Sequence, residues 1–117
     1  MEKKIQVHFE RDGQPVTDEL SIRFNMAVEI AYEDITGEPF DLMTISKSKK
    51  NLLSLYSAVI ITCNKDSKVT TDDLLFNLDG EELTKIDAAI SECMRDWLHL
   101  PLVMQNTSEQ EGDPEKK

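Results

Sequence analysis

A chain of 117 residues carries 13 Lys and Arg against 23 Asp and Glu, a formal net charge of −10 at pH 7. Such a chain has no positive footprint with which to displace counterions from phosphates, which argues against nucleic-acid binding. The length suits one domain burying roughly 65% of the surface its unfolded form exposes, with no need of a metal or disulfide.

The two cysteines, Cys63 and Cys93, lie in apolar helical patterns, and no secretory segment precedes Met1-Glu2-Lys3-Lys4, so the expected setting is a reduced cytoplasm. Ile5, Val7 and Phe9 alternate with Gln6, His8 and Glu10, the period of a strand with one buried face. Asp12-Gly13 is a turn signal and Pro15 another. Beyond them Leu20, Ile22 and Phe24 alternate with Glu19, Ser21 and Arg23, a second strand. The spacing predicts an antiparallel hairpin whose connection is longer than a tight turn and whose register stays open.

Asn25 reads as the N-cap of a helix in which Met26, Ala27, Ile30, Ala31 and Ile35 recur at helical spacing, with Glu29 and Glu33 on the wet face. Gly37 stands where a left-handed C-cap is wanted, and Pro39 stops continuation. Phe40, Leu42, Met43 and Ile45 form a short apolar stretch that begins another helical turn and covers the core. Ser46 to Lys50 reads as a solvated basic connector.

Asn51 to Asn64, NLLSLYSAVIITCN, is fourteen uncharged residues in a chain that is 31% charged. As a helix it spans roughly 21 Å, short of the ~30 Å of a bilayer core, so no membrane span is expected. Leu52, Tyr56, Val59 and Cys63 fall on one line, with Leu53 and Ile60 beside it and Leu55 and Ile61 pointing elsewhere. Val59-Ile60-Ile61-Thr62 also suits a buried strand, but the length of the run and its lack of Gly or Pro favour a helix that needs neighbours on several sides. Thr70 or Thr71 caps a short helix with Asp72 and Asp73 in its first turn and Leu74, Leu75, Phe76 and Leu78 on its buried side. Asp79 caps the last long helix, and Glu82 is placed as in a capping box. Leu83, Ile86, Ile90, Cys93, Met94 and Trp97 form its apolar stripe, with Lys85, Glu92, Arg95 and Asp96 outside it.

The expected architecture is therefore α+β: an N-terminal antiparallel β-hairpin packed on a mainly helical domain with a central buried helix. Residues 1–104 form the single domain, and 105–117 read as a disordered acidic tail. The expected core is Phe24, Ile30, Leu52, Tyr56, Val59, Ile60, Leu83, Ile86 and Ile90.

Signals for catalysis are scarce. His8 and His99 have no ligand at metal-motif spacing and read as surface residues. Asn64 to Leu75 starts like a calcium loop, but Lys68 takes an acidic ligand position, Val69 the glycine position and Leu75 the bidentate glutamate position. Glycine-rich phosphate loops, G-x-S-x-G and C-x-x-C are absent from the sequence, and its carboxylates belong to wet faces or helix starts. No catalytic residue, metal or cofactor is expected.

Phe24 to Gly37, FNMAVEIAYEDITG, resembles the opening of the tail assembly chaperones of long-tailed bacteriophages, in which a β segment leads into a helix with an aromatic-acidic pair and a closing Thr-Gly. Here these are Tyr32-Glu33 and Thr36-Gly37. The order then continues through an aromatic loop residue (Phe40), an Ala-containing apolar helix (Leu52 to Cys63), a Thr-Asp-Asp opening and an amphipathic last helix, covering about residues 5 to 98. The resemblance implies a non-enzymatic cytoplasmic factor that binds the tape measure protein, keeps it soluble and recruits tail tube subunits. Such factors are absent from the finished tail. It admits self-association and a longer frameshifted product, for which Glu115-Lys116-Lys117 fits an A-rich slippery site.

A chaperone of apolar helices needs an exposed apolar surface rimmed by charge. Trp97, Leu98, Leu100, Leu102, Val103 and Met104 are the expected partner-binding residues, unless that segment folds back to complete the core. The alternatives are an acidic protein-protein adaptor or a DNA-mimic inhibitor. For the latter, the interspersed lysines break up the acidic stripe that mimicry requires.

Overall fold

The computed structural model describes residues 1–99; Leu100, Leu102, Val103 and Met104 of the expected surface, and the whole expected tail, lie outside the described residues. The fold is α+β. Strands β1 (Glu2–Arg11) and β2 (Gln14–Arg23) form an antiparallel hairpin, followed by helices α1 (Met26–Thr36), α2 (Leu42–Ile45), α3 (Lys49–Cys63), a π-helical turn (Asp73–Asn77) and α4 (Gly80–Leu98).

The hairpin is tighter than the sequence reading expects. Arg11 pairs with Gln14 and Glu2 with Arg23, and only Asp12 and Gly13 lie between the strands, at φ 54° and 79°. Two successive positive φ values match the twist of the flanking strands, which is why Asp-Gly serves here. Pro15 falls inside β2 opposite Glu10. It shares the parity of Ser21, whose N–H points away from β1, so the proline costs the ladder no hydrogen bond.

The inner face of the hairpin buries Val7, Phe9, Leu20 and Ile22. Helix α3 packs on the β2 side and α4 on the β1 side, while α1 covers α3. Side chains of the helices bond to the hairpin backbone, among them Asn64, Glu82 and Lys85. Asn64, ending α3, accepts the Ser21 N–H at 2.8 Å and donates to the Ser21 carbonyl at 2.9 Å. From α4, Glu82 accepts the His8 N–H at 2.8 Å and Lys85 donates to the Gln6 carbonyl at 2.7 Å. Glu82 therefore docks a strand instead of reaching back to its own N-cap, although Asp79 does cap α4 by accepting the Glu82 N–H at 2.9 Å. Replacing Asn64 with Ala is expected to cost about 1–2 kcal/mol and to speed amide exchange at Ser21, measured by denaturant titration and hydrogen exchange.

Local chemistry sets the other ends. Asn25 accepts the Val28 N–H, and Gly37 closes α1 at φ 72° with its N–H on the Glu33 carbonyl. Thr70 and Asp73 form a reciprocal cap, each side chain accepting the other's backbone N–H.

Four elements differ from the sequence expectation. Helix α1 buries Val28 and Tyr32, while Met26, Ile30 and Ile35 are exposed; Ile30, expected in the core, is 52% accessible. The aromatic residues decide this rotation. Tyr32 stands edge-on to Phe40 at 5.8 Å between ring centroids, and Phe40 meets Phe24 at 5.7 Å. In α3 the deepest residues are Leu55, Ala58, Val59 and Ile60, whereas Leu52, Tyr56 and Cys63 are only half-buried. In the 73–78 segment Leu74 and Leu78 are buried, but Leu75 and Phe76 point to solvent, Phe76 at 78%. Met43 in α2 is likewise exposed.

Phe24, Val59, Ile60, Ile86 and Ile90 are buried, and Leu83 packs half-buried beside them. Within the described residues no helix is long and apolar enough to cross a membrane.

Candidate functional site

The buried polar side chains hold the fold together. Asp73, 1% exposed, accepts from the Arg11 guanidinium, the Thr70 N–H and hydroxyl and the Asn77 amide. The Arg11 guanidinium, more than any other neighbour, holds this carboxyl well below the usual carboxylate range, against the opposing effect of burial. Arg11 also donates to the Lys68 carbonyl and lies over the Phe9 ring, so one cluster fastens the π-helical turn to the hairpin tip.

Among the described residues, no hydrogen bond joins a cysteine to a histidine. Burial pushes the Cys93 thiol up, away from the thiolate form a nucleophile needs. His8 faces outward and meets Thr17 across the strands at 3.1 Å. Among the described residues no group of three or more His, Cys, Asp or Glu could hold a metal ion.

Among the described residues, two apolar hollows that share Leu52 lie between α3 and α4 and are together called the trough. One part, about 400 Å³, is lined by Leu52, Leu53 and Tyr56 of α3, Leu74 and Leu75 of the π-helical turn and Leu83 of α4, with Lys49 and Lys50 at its rim. A second part, about 410 Å³, shares Leu52 and continues along Leu42, Met43 and Ile45 of α2, Leu55 of α3, and Asp87, Ile90 and Met94 of α4. Near the junction the Tyr56 hydroxyl donates to Asp87 at 2.7 Å, linking the two helices. Burial first, and then this bond, push the Tyr56 hydroxyl well above its ordinary pKa, so it stays a neutral donor.

The sequence explains why the trough is open. Adjacent residues on a helix lie about 100° apart, so in Leu52-Leu53 and Leu74-Leu75 both leucines cannot face the same core. Leu52 and Leu53 are both left half-buried, Leu75 is exposed beside buried Leu74, and all four line the trough. Lys49 and Lys50, expected in a connector, occupy the first turn of α3, which Ser48 caps by accepting the Asn51 N–H at 3.2 Å.

The expected surface at the end of α4 lies elsewhere. Trp97, 37% exposed, donates its indole N–H to Glu29 of α1 at 2.8 Å. Leu98 packs half-buried against the core. Neither lines the trough. Trp97 thus belongs with α1, whose outward residues include Met26 and Ile30. The sequence pattern does not single out the trough, because Leu52, Tyr56 and Leu83 fall at positions that read as core. The readable signal was the leucine doublets beside two lysines.

Compared with protein-family models, with curated proteins and with solved structures, the chain has no match.

Proposed function

We propose that the protein is a non-enzymatic tail assembly chaperone of a long-tailed phage or prophage, which binds the tape measure protein and promotes assembly of tail tube subunits. The observation that carries this reading is the trough along α3 and α4. It is lined chiefly by apolar side chains, yet it lies on a chain of net charge −10. An amphipathic helix places its anchors at i, i+3, i+4 and i+7, and an open groove between two helices is a surface that accepts such a row. The surrounding charge keeps the chaperone soluble while the groove covers apolar surface on the client. The resemblance of residues 5 to 98 to these chaperones supports the same reading.

Co-expression provides the test. The wild-type protein is expected to hold its tape measure protein in the soluble fraction. A Leu53→Asp, Leu75→Asp double variant is expected to lose most of that effect while keeping a cooperative melt, because Leu53 is half-buried and Leu75 exposed. Unchanged rescue by the double variant would remove the trough from the mechanism. A Trp97→Ala variant tests separately whether the end of α4 contributes.

A further inference from the structure

Within the trough the charged groups are unevenly placed. Lys49 and Lys50 stand at the rim near Leu52 and Leu53, and they are the charged residues lining that part. In the other part the charged lining residue is Asp87, whose carboxylate is engaged by Tyr56. Both lysines are exposed, and no carboxylate pairs with either among the described residues. They also sit in the first turn of α3, where the positive end of the helix dipole disfavours cations, and Lys47 lies just ahead of them. Positive charge is thus concentrated at the rim of an apolar hollow, at a dipole-disfavoured position on a strongly acidic chain, with no carboxylate paired to it among the described residues. Its complement is a negatively charged partner.

We infer that the segment entering the trough is an amphipathic helix bearing carboxylates at the end that meets Lys49 and Lys50. This rests on the chaperone reading and names the kind of client segment it takes. The apolar floor holds the leucine-like anchors and supplies affinity, while the lysine rim sets which way round the helix lies and disfavours a basic end. A client of mixed charge is thereby read in one orientation.

The test uses the full chain and synthetic helices of about 20 residues with identical leucine anchors, ending in three glutamates or three lysines at either the N- or the C-terminus. Binding is followed by fluorescence anisotropy. One of the glutamate-ended helices is expected to bind roughly tenfold tighter than both lysine-ended ones at low salt, with the gap shrinking at about 0.5 M NaCl. Lys49→Glu, Lys50→Glu is expected to reverse the preference. Its melt should be unchanged or improved, since acidic residues suit a first helical turn. Equal binding of glutamate- and lysine-ended helices would overturn the inference while leaving the trough as a helix site. No binding by any of them would overturn the trough reading as well. Tighter binding to phosphatidylglycerol vesicles than to any helix would assign the lysines to a lipid headgroup. A concentration-dependent dimer that excludes the helices and is broken by Leu75→Asp would assign the trough to a second copy of the chain.

Discussion

A Val59→Asp chain is expected to show no cooperative thermal transition and a collapsed, poorly dispersed amide spectrum. Val59 is 0% exposed in the middle of α3, the helix that packs against α1, α2, α4 and β2. A carboxylate there has no room to reach water. Leaving it charged costs more than the fold can supply, and protonating it still strands a polar group in an apolar site. Against a typical stability of about 5–15 kcal/mol, a loss beyond about 4–5 kcal/mol unfolds much of the population. A Val59→Ala control loses only two methyl groups and should remain folded with a lowered midpoint. A Val59→Asp protein that melts like the wild type would show that the core is not centred on this helix.

The second large effect is expected at Asp73. An Asp73→Asn chain keeps the shape of the side chain but loses the charge that Arg11 faces, and it puts an amide donor where an acceptor stood. The expected cost is about 2–3 kcal/mol at neutral pH, moderated because the Arg11 side chain is partly exposed and can regain water. The pH dependence has a definite sign. The folded carboxyl titrates below its unfolded value, so its contribution is complete above the unfolded pKa of about 3.9 and is lost as pH falls through the lower folded value. The wild type should therefore lose stability below about pH 4 more steeply than Asp73→Asn, and the two profiles should converge in acid. Urea titrations of both proteins across that range measure the difference. Parallel profiles would mean that Asp73 carries no charge-dependent stabilisation.

Much of the architecture was legible because its signals are local. Alternation marked both strands, and Asn25, Gly37 and Asp79 announced helix ends through hydrogen bonds made within a few residues of themselves. The hairpin turn was written in Asp12-Gly13, but Pro15 obscured it, because a proline is compatible with a strand only when its missing N–H faces outward. That depends on parity, and parity depends on register. Helix α1 carries apolar residues nearly all round, so periodicity could not choose between the Met26-Ile30 face and the Val28-Tyr32 face. Packing of the Tyr32 ring on Phe40, which in turn meets Phe24, made the choice, and both phenylalanines lie outside the helix. Glu82 looked like a capping residue because its spacing allows that role, and only the nearness of β1 gives its carboxylate a different N–H to accept. The trough was the least legible part, since it depends on how far apart α3 and α4 lie.

The bonds made by Asn64, Glu82 and Lys85 bear on how the protein can associate. A two-stranded ribbon has two free margins, each offering N–H and C=O groups to any extended segment that comes alongside. Here one margin is occupied at Ser21 and the other at Gln6 and His8. Adding a third strand on either side would first have to evict a helix-borne side chain. The ribbon is thus closed to strand addition at the middle of both margins. Association through the ribbon's backbone is therefore blocked at these positions, while the helical faces stay open to contact.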